Sequence, residues 1–301
     1  DFTSPKGEPT GALYGVVAMI MKIIEELKPD YIIACFDLPD PTHRHVAYEG
    51  YKASRAKTDD ALVAQIIRSR DIFSAWGIPL YELAGFEADD MLGTIVEKVH
   101  KEKKLRTIIA SGDMDTLQLV RDDAVLVYTL RKGIQDTILY NEEAVVARFG
   151  FPPTLIPDYK GLRGDPSDNI PGIPGIGEKS GSELVSKFGS IENIYATLQK
   201  KEALFIERGI KPRIIELLKT HEEEAVFSKM LATIRRDAPI AFSMPTVPWY
   251  DAVKGEEVLA LFTELGFRTL TERVKKLLSS EGVELTEAPQ GEVPDQTRLE
   301  R

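Results

Sequence analysis

Three apolar runs, Tyr31 to Phe36, Pro79 to Leu83 and Leu105 to Ala110, are each followed by acidic residues, with helical patterns between them. Alternation of apolar strand and amphipathic helix is the pattern of an α/β layer with a mainly parallel sheet. In such a sheet the carboxyl ends of the strands share one edge, where ligands bind. Asp37 follows the first run, Glu87, Asp89 and Asp90 open a helix after the second, and Asp113 and Asp115 follow the third. Acids scattered along the sequence are thereby expected as neighbours in space. Singly, each has an ordinary use: Glu87 and Asp89 favour a helix N-terminus, Asp115 caps the next helix, and Asp37 starts a turn. Together they need counter-charge, because carboxylates at close range raise one another's proton affinity. An all-oxygen set with no histidine or cysteine cluster beside it suits Mg²⁺ or Mn²⁺ better than Zn²⁺. Two such ions stabilise in-line attack of water on a phosphodiester.

The remaining chain supports this framework. Residues 10 to 28 form an expected helix, with Thr10 as cap, Leu13, Val17, Ile20 and Ile24 on one face, and Pro29 as stop. From Leu38 to Lys57 no period holds, and His43, Arg44, Lys52, Arg55 and Lys57 alternate with Tyr48 and Tyr51 in a locally basic, aromatic segment. Thr58 begins a helix through Leu62, Ile66, Ile67 and Phe73 to Gly77, and a further helix is expected from about Asp115. Val125 to Leu130 and Ile134 to Tyr140 are expected strands joined at Lys132 and Gly133. Residues 141 to 275 are chiefly helical, with Asn141, Gly189 and Ser190 at helix ends. Within them GLRGDPSDNIPGIPGIGEKSG, from Gly161 to Gly181, has prolines that forbid a continuous helix and glycines that allow close backbone approach. A glycine-rich turn feeding a helix N-terminus can hold a phosphate; it can equally be a surface loop with a capping acid. The acidic stretch 279 to 301 is expected to be a disordered tail or linker.

The net charge of −10 runs against a nucleic-acid partner until the acids are assigned to cations. The single cysteine, Cys35, excludes an internal disulfide framework and fits a reducing compartment. No apolar run reaches membrane-spanning length.

The segments CFDLPDPTHRHVAYEGYKASR, GFEADDMLGTIV, ASGDMDTLQLV, LRGDPSDNIPGIPGIGEKSG and FSKMLATIRRDAPI, in this order, resemble the motifs of the 5′ nucleases of the flap endonuclease superfamily. The likeness is greatest to the amino-terminal 5′–3′ exonuclease domains of bacterial DNA polymerases. It implies a PIN-like α/β nuclease core over residues 1 to 160, a helical helix-hairpin-helix region over 161 to 278, and a location in the bacterial cytoplasm with the nucleoid. It further implies that Asp37, Glu87, Asp89, Asp113, Asp115 and Asp168 hold Mg²⁺ directly or through water, with Asp90 and Asp165 supporting them. Arg44 and Lys52 would lie in a helical arch meeting the scissile phosphate, with Arg55 on the same path. The turn carrying Gly172, Gly175, Gly177 and Lys179 would grip duplex backbone and carry a K⁺ ion.

Two departures accompany the resemblance. The family's first motif should precede Phe2, so a fragment beginning at Asp1 is expected to lack one ligand and one strand and to be weak or inactive alone. His43 and Val46 also differ from the aromatic and acidic residues usual beside Arg44. The function implied is removal of 5′ flaps and RNA primers from nicked or branched DNA, with a polymerase domain following in a longer chain. Tyr48 and Tyr51 either stack on an unpaired base or pack the base of the arch. The competing readings are a DNA-binding relative that keeps the hairpin and has lost cleavage, and a metal-dependent ribonuclease of related topology.

Overall fold

The structure is a computed structural model that describes residues 2–103, 105–130 and 136–283. In chain order the first part comprises α1 (Gly11–Leu27), β1 (Ala34–Cys35), α2 (His43–Ala47), α3 (Asp60–Ala75), β2 (Leu80–Tyr81), α4 (Ala88–Lys103) and β3 (Thr107–Ala110). A 3₁₀ turn, Met114–Leu119, leads to β4 (Val125–Leu130), β5 (Thr137–Tyr140), α5 (Glu142–Phe149) and α6 (Ile156–Arg163). The remainder is helical: α7 (Glu178–Phe188), α8 (Ile191–Lys201), α9 (Ala203–Glu207), α10 (Pro212–Thr220), α11 (Glu222–Ala232), α12 (Trp249–Ala252), α13 (Gly255–Leu265) and α14 (Arg268–Ser280).

The α/β class stands, with less strand than the apolar runs suggest and with the strands in two small sheets. β1 pairs with β2, while β3, β4 and β5 form the other sheet in that order. β3 and β4 are parallel, with Ile109 opposite Val127; β4 and β5 are antiparallel, with Tyr128 opposite Leu139. The expected joint at Lys132 and Gly133, and all but the start of the acidic tail, lie outside the described residues.

Two compact units divide the chain. One gathers the described residues up to Ala34, Thr58–Leu80 and the described residues from Pro245 onward. Its core joins Leu13, Val17, Met21 and Ile24 of α1 to Ile72, Trp76, Val258, Phe262, Leu270 and Val274. Lys254 N–H donates to the Ala75 carbonyl at 2.9 Å, tying the end of α3 to the start of α13. Thr10 stands at the N-cap of α1 without a side-chain capping bond. Asp59, not Thr58, caps α3 by accepting from Ala61 N–H at 2.8 Å. On α3, Ser69, Ile72 and Ala75 are buried, whereas Leu62, Ile66 and Ile67 are exposed.

The second unit is Cys35–Lys57 with Tyr81–Met244. Its core runs from Val125 and Val127 on β4 through Tyr159 and Leu162 on α6 to Leu184, Ile194, Phe205 and Leu218. Gly161 lets α6 and α11 approach, since a Cβ there would meet the Ala225 carbonyl at 2.9 Å and the Ile191 side chain at 2.6 Å. The helix expected from Asp115 is a 3₁₀ segment whose cap is Asp113, accepting from Asp115 N–H at 2.9 Å. Thr116 Oγ1 donates back to the Asp113 carbonyl at 2.6 Å, a local closure that favours the tighter winding. Asn141 and Ser190 cap α5 and α8 as expected, and Gly189 ends α7.

Candidate metal and nucleic-acid site

All eight acidic residues singled out by sequence belong to the second unit. Asp37 lies just past β1, and its Oδ1 accepts from Ala88 N–H at 2.7 Å, so it caps α4. This bond holds the first turn of α4, with Glu87 at its entrance and Asp89 and Asp90 within it. Asp113 and Asp115 follow β3. Asp89 records the convergence: burial, reinforced by Asp113, Asp115, Asp37 and Glu87, pushes its carboxyl up to about 8. Burial raises Asp115 to about 6; Lys160 opposes that rise and Asp113 adds to it.

Basic side chains take up much of this acid. Arg44 is 2% exposed. Its Nη1 and Nη2 donate to the two Asp90 oxygens at 2.7 and 2.8 Å, and Nη1 also donates to Glu87 Oε2 at 3.2 Å. Nε and Nη2 reach the Leu231 and Thr233 carbonyls, each at 2.8 Å. A guanidinium has five N–H donors, and these five contacts account for all of them. In this arrangement the guanidinium keeps no free donor for a phosphate and serves as an anchor. Asp90 is fully buried and also accepts from Glu87 N–H at 3.1 Å and Arg235 N–H at 2.8 Å. Against the burial that would raise it, the Arg44 bonds hold its carboxyl below the usual range. Its oxygens are committed to joining α4 to the chain after α11.

Lys52 and Arg55 are more open. Lys52 Nζ donates to Glu87 Oε1 at 2.7 Å, and Arg55 Nη2 donates to Asp168 Oδ1 at 2.5 Å. Tyr51 is buried, and its hydroxyl lies 3.1 Å from Glu87 Oε2 and 3.2 Å from Asp168 Oδ2. That position settles it as packing at the base of the segment. Tyr48 packs edge-on against Phe227.

One participant was missed. Lys160 on α6 bonds both Asp115 and Asp165. Against the burial that would raise it, Lys160 holds Asp165 below the usual carboxylate range, helped by Ser167. The available sequence signal was a lysine one helical turn before an acid-bearing loop, which is a common surface pattern. Among the described residues, no three acidic, histidine or cysteine side chains make a ready cage for an ion. The donor set still suits a hard divalent cation, because it is all carboxylate, and burial with the neighbouring acids pushes Asp89 up in a way that a cation would oppose.

The stretch after α6 turns through Asp165 to Ile170, which exchange both backbone hydrogen bonds at 2.9 Å. Ile170, Ile173 and Ile176 are buried at every third position and seal the turn against the core. Gly172 has φ 61°, and a Cβ there would meet Gly164 N at 2.1 Å. Its N–H donates to Ser228 Oγ at 2.9 Å and is not open to a ligand. Gly175 has φ 93°. Gly177 is the N-cap of α7 with no side-chain capping bond, and Lys179 is exposed beside it.

No described helix is long and apolar enough to cross a membrane. The family model for the 5′–3′ exonuclease N-terminal resolvase-like domain matches residues 1–150, and that for the 5′–3′ exonuclease C-terminal SAM fold matches 151–253. DNA polymerase I of Bacillus caldotenax is 39% identical over 276 residues, which is 92% of this chain and 30% of that protein. DNA polymerase I of Bacillus subtilis (strain 168) is 38% identical over 272 residues, 90% of this chain and 30% of that one. The chain therefore spans about 30% of the length of these relatives. Among solved structures, T5 5′-exonuclease with divalent metal ions (zinc) bound aligns with a TM-score of 0.61 at 21% identity, covering 87% of this chain and 93% of that one. The catalytic core of Rad2 in complex with DNA substrate aligns with a TM-score of 0.58 at 18% identity, covering 93% and 87%.

Proposed function

Given that this chain belongs to the 5′–3′ exonuclease family, we propose that it is a structure-specific 5′ nuclease that hydrolyses phosphodiesters at 5′ flaps and RNA primers on nicked or branched DNA. The observation that carries the reading is the gathering of Asp37, Glu87, Asp113 and Asp115 around Asp89, close enough to raise its carboxyl. Asp37, Glu87, Asp89, Asp113, Asp115, Asp165 and Asp168 are the side chains that would hold the ions. When bound, divalent cations, Mg²⁺ or Mn²⁺, would acidify water and offset charge on the leaving oxygen.

The chain's own residues then divide the work. Arg44 fixes Asp90, and through it the entrance of α4. Lys52 and Arg55, whose side chains are 21% and 51% exposed, are the cations able to turn from carboxylate to phosphate. Specificity would come from backbone geometry and a free 5′ end, because the candidate contacts are cations and a glycine turn and include no helix presenting base-reading side chains. The turn from Gly172 to Lys179 is the proposed duplex grip, with the open N-terminus of α7 beside a phosphate; a K⁺ ion there belongs to the same reading. Following polymerase modules and an association with the nucleoid are part of the proposal.

A second reading has one observation in its favour: Arg44, Lys52, Arg55 and Lys160 already pair with the acids, as a DNA-binding relative without cleavage would allow. The deciding experiment is cleavage of a labelled 5′-flap duplex by the protein. Mg²⁺-dependent release of the flap, abolished in Asp113→Ala with duplex affinity retained, is expected. Flap binding without cleavage across Mg²⁺ and Mn²⁺ titrations sinks the nuclease and favours the binding module.

A further inference from the structure

Two tight turns carry the open cations and the last pair of acids. In the first, Ala53 N–H donates to the Gly50 carbonyl at 3.1 Å and Arg55 N–H to the Lys52 carbonyl at 3.0 Å. In the second, the mutual bonds of Asp165 and Ile170 are joined by Asn169 N–H to the Pro166 carbonyl at 3.3 Å. Each turn is closed on itself, so a link between them moves both together. Lys52 and Asn169 are also left-handed, with φ of 54° and 58°. That conformation is poor for lysine and tolerated by asparagine.

We propose that Asn169 is a positioning residue that clips the basic turn to the carboxylate loop, so that cation binding by Asp165 and Asp168 also sets where Lys52 and Arg55 stand. Its Nδ2 donates to the Gly50 carbonyl at 2.6 Å, and Lys52 N–H donates to the Asp168 carbonyl at 2.9 Å. These two bonds use no carboxylate oxygen. The side-chain contacts of Lys52 and Arg55 differ in this respect, because they occupy the oxygens of Glu87 and Asp168 that a cation would take. A cation can therefore displace the side chains while the backbones stay joined, and the freed cations remain beside the acids they leave. This rests on the nuclease reading in treating Asp165 and Asp168 as cation ligands.

Amide hydrogen exchange tests it on the intact chain, with calorimetry following Mg²⁺ uptake in parallel. In the wild type, Mg²⁺ should slow exchange of the Lys52 amide. Asn169→Gly keeps the left-handed backbone and removes the donor. It should speed that amide about fivefold without cation, the worth of one net hydrogen bond, and cancel the slowing by Mg²⁺, while amides of α8 stay unchanged. Asn169→Asp, which also tolerates the backbone and cannot donate, should behave likewise. Mg²⁺ taken up with the Lys52 amide unaltered, or slowing that survives in both variants, overturns the clip. Absence of Mg²⁺ uptake overturns the coupling to the cation, and the metal-free comparison of Asn169→Gly with wild type still decides whether the clip exists.

Discussion

At the scale of single residues, the site is a balance of buried charge. Asp89 has a folded pKa of about 8 against an ordinary value of 3.8. Between those values the folded chain holds a proton that the unfolded chain has released, so this group's effect is to lower stability as pH rises from about 4 to about 8. The melting temperature of the metal-free chain is expected to carry that downward contribution, and Mg²⁺ should restore more at pH 8 than at pH 5.5; equal stabilisation at both pH values would refute it. Arg44→Ala leaves Asp90 charged and buried without its partner and should cost about 3–5 kcal/mol in urea unfolding. Asp37, Glu87, Asp89, Asp90, Asp113 and Asp115 were legible because they follow apolar runs, whereas Asp165 and Asp168 after α6 were legible only through the likeness of their motif. Lys160 and the anchoring use of Arg44 were not, since a lysine or arginine shows its partner only after distant segments have packed.

Elements respond to what they touch more than to their periodicity. The run of Leu62, Ile66 and Ile67 marked a helix without fixing its inner face, because several apolar residues on one turn fit more than one stripe and tertiary packing chose Ile72 and Ala75. Ile67 is 61% exposed, so Ile67→Lys should change stability by no more than about 0.5 kcal/mol by thermal melting. The opposite holds at Gly172, where a Cβ would overlap Gly164 N and Arg163 C at 2.1 and 2.5 Å. Gly172→Ala should destabilise by more than about 2 kcal/mol and weaken duplex binding through displacement of α7. The expected strands shortened for a related reason: an apolar run becomes strand only where a neighbour supplies hydrogen bonds, and β1 keeps Ala34 and Cys35 alone.

The whole molecule is laid out against its sequence order. The first unit draws α1, α3, α13 and α14 from stretches separated by most of the chain, around a core containing Phe262. Phe262→Ala should cost about 3–5 kcal/mol and loosen hydrogen-exchange protection in those four helices together; loss confined to α13 would count against a shared core. Sequence alone showed the helices but not this grouping, because nothing local tells α1 that its partner lies beyond residue 250. The basic side chains paired with Asp90, Asp115, Asp165 and Asp168 have a final consequence for the life of the chain. A nascent protein with so many acids near one place carries its own provisional counter-ions, and need not wait for metal to become a folded body. On the proposed nuclease reading, loading with metal would be an exchange of partners in a finished structure, and treatment with a chelator should leave the far-ultraviolet circular dichroism unchanged.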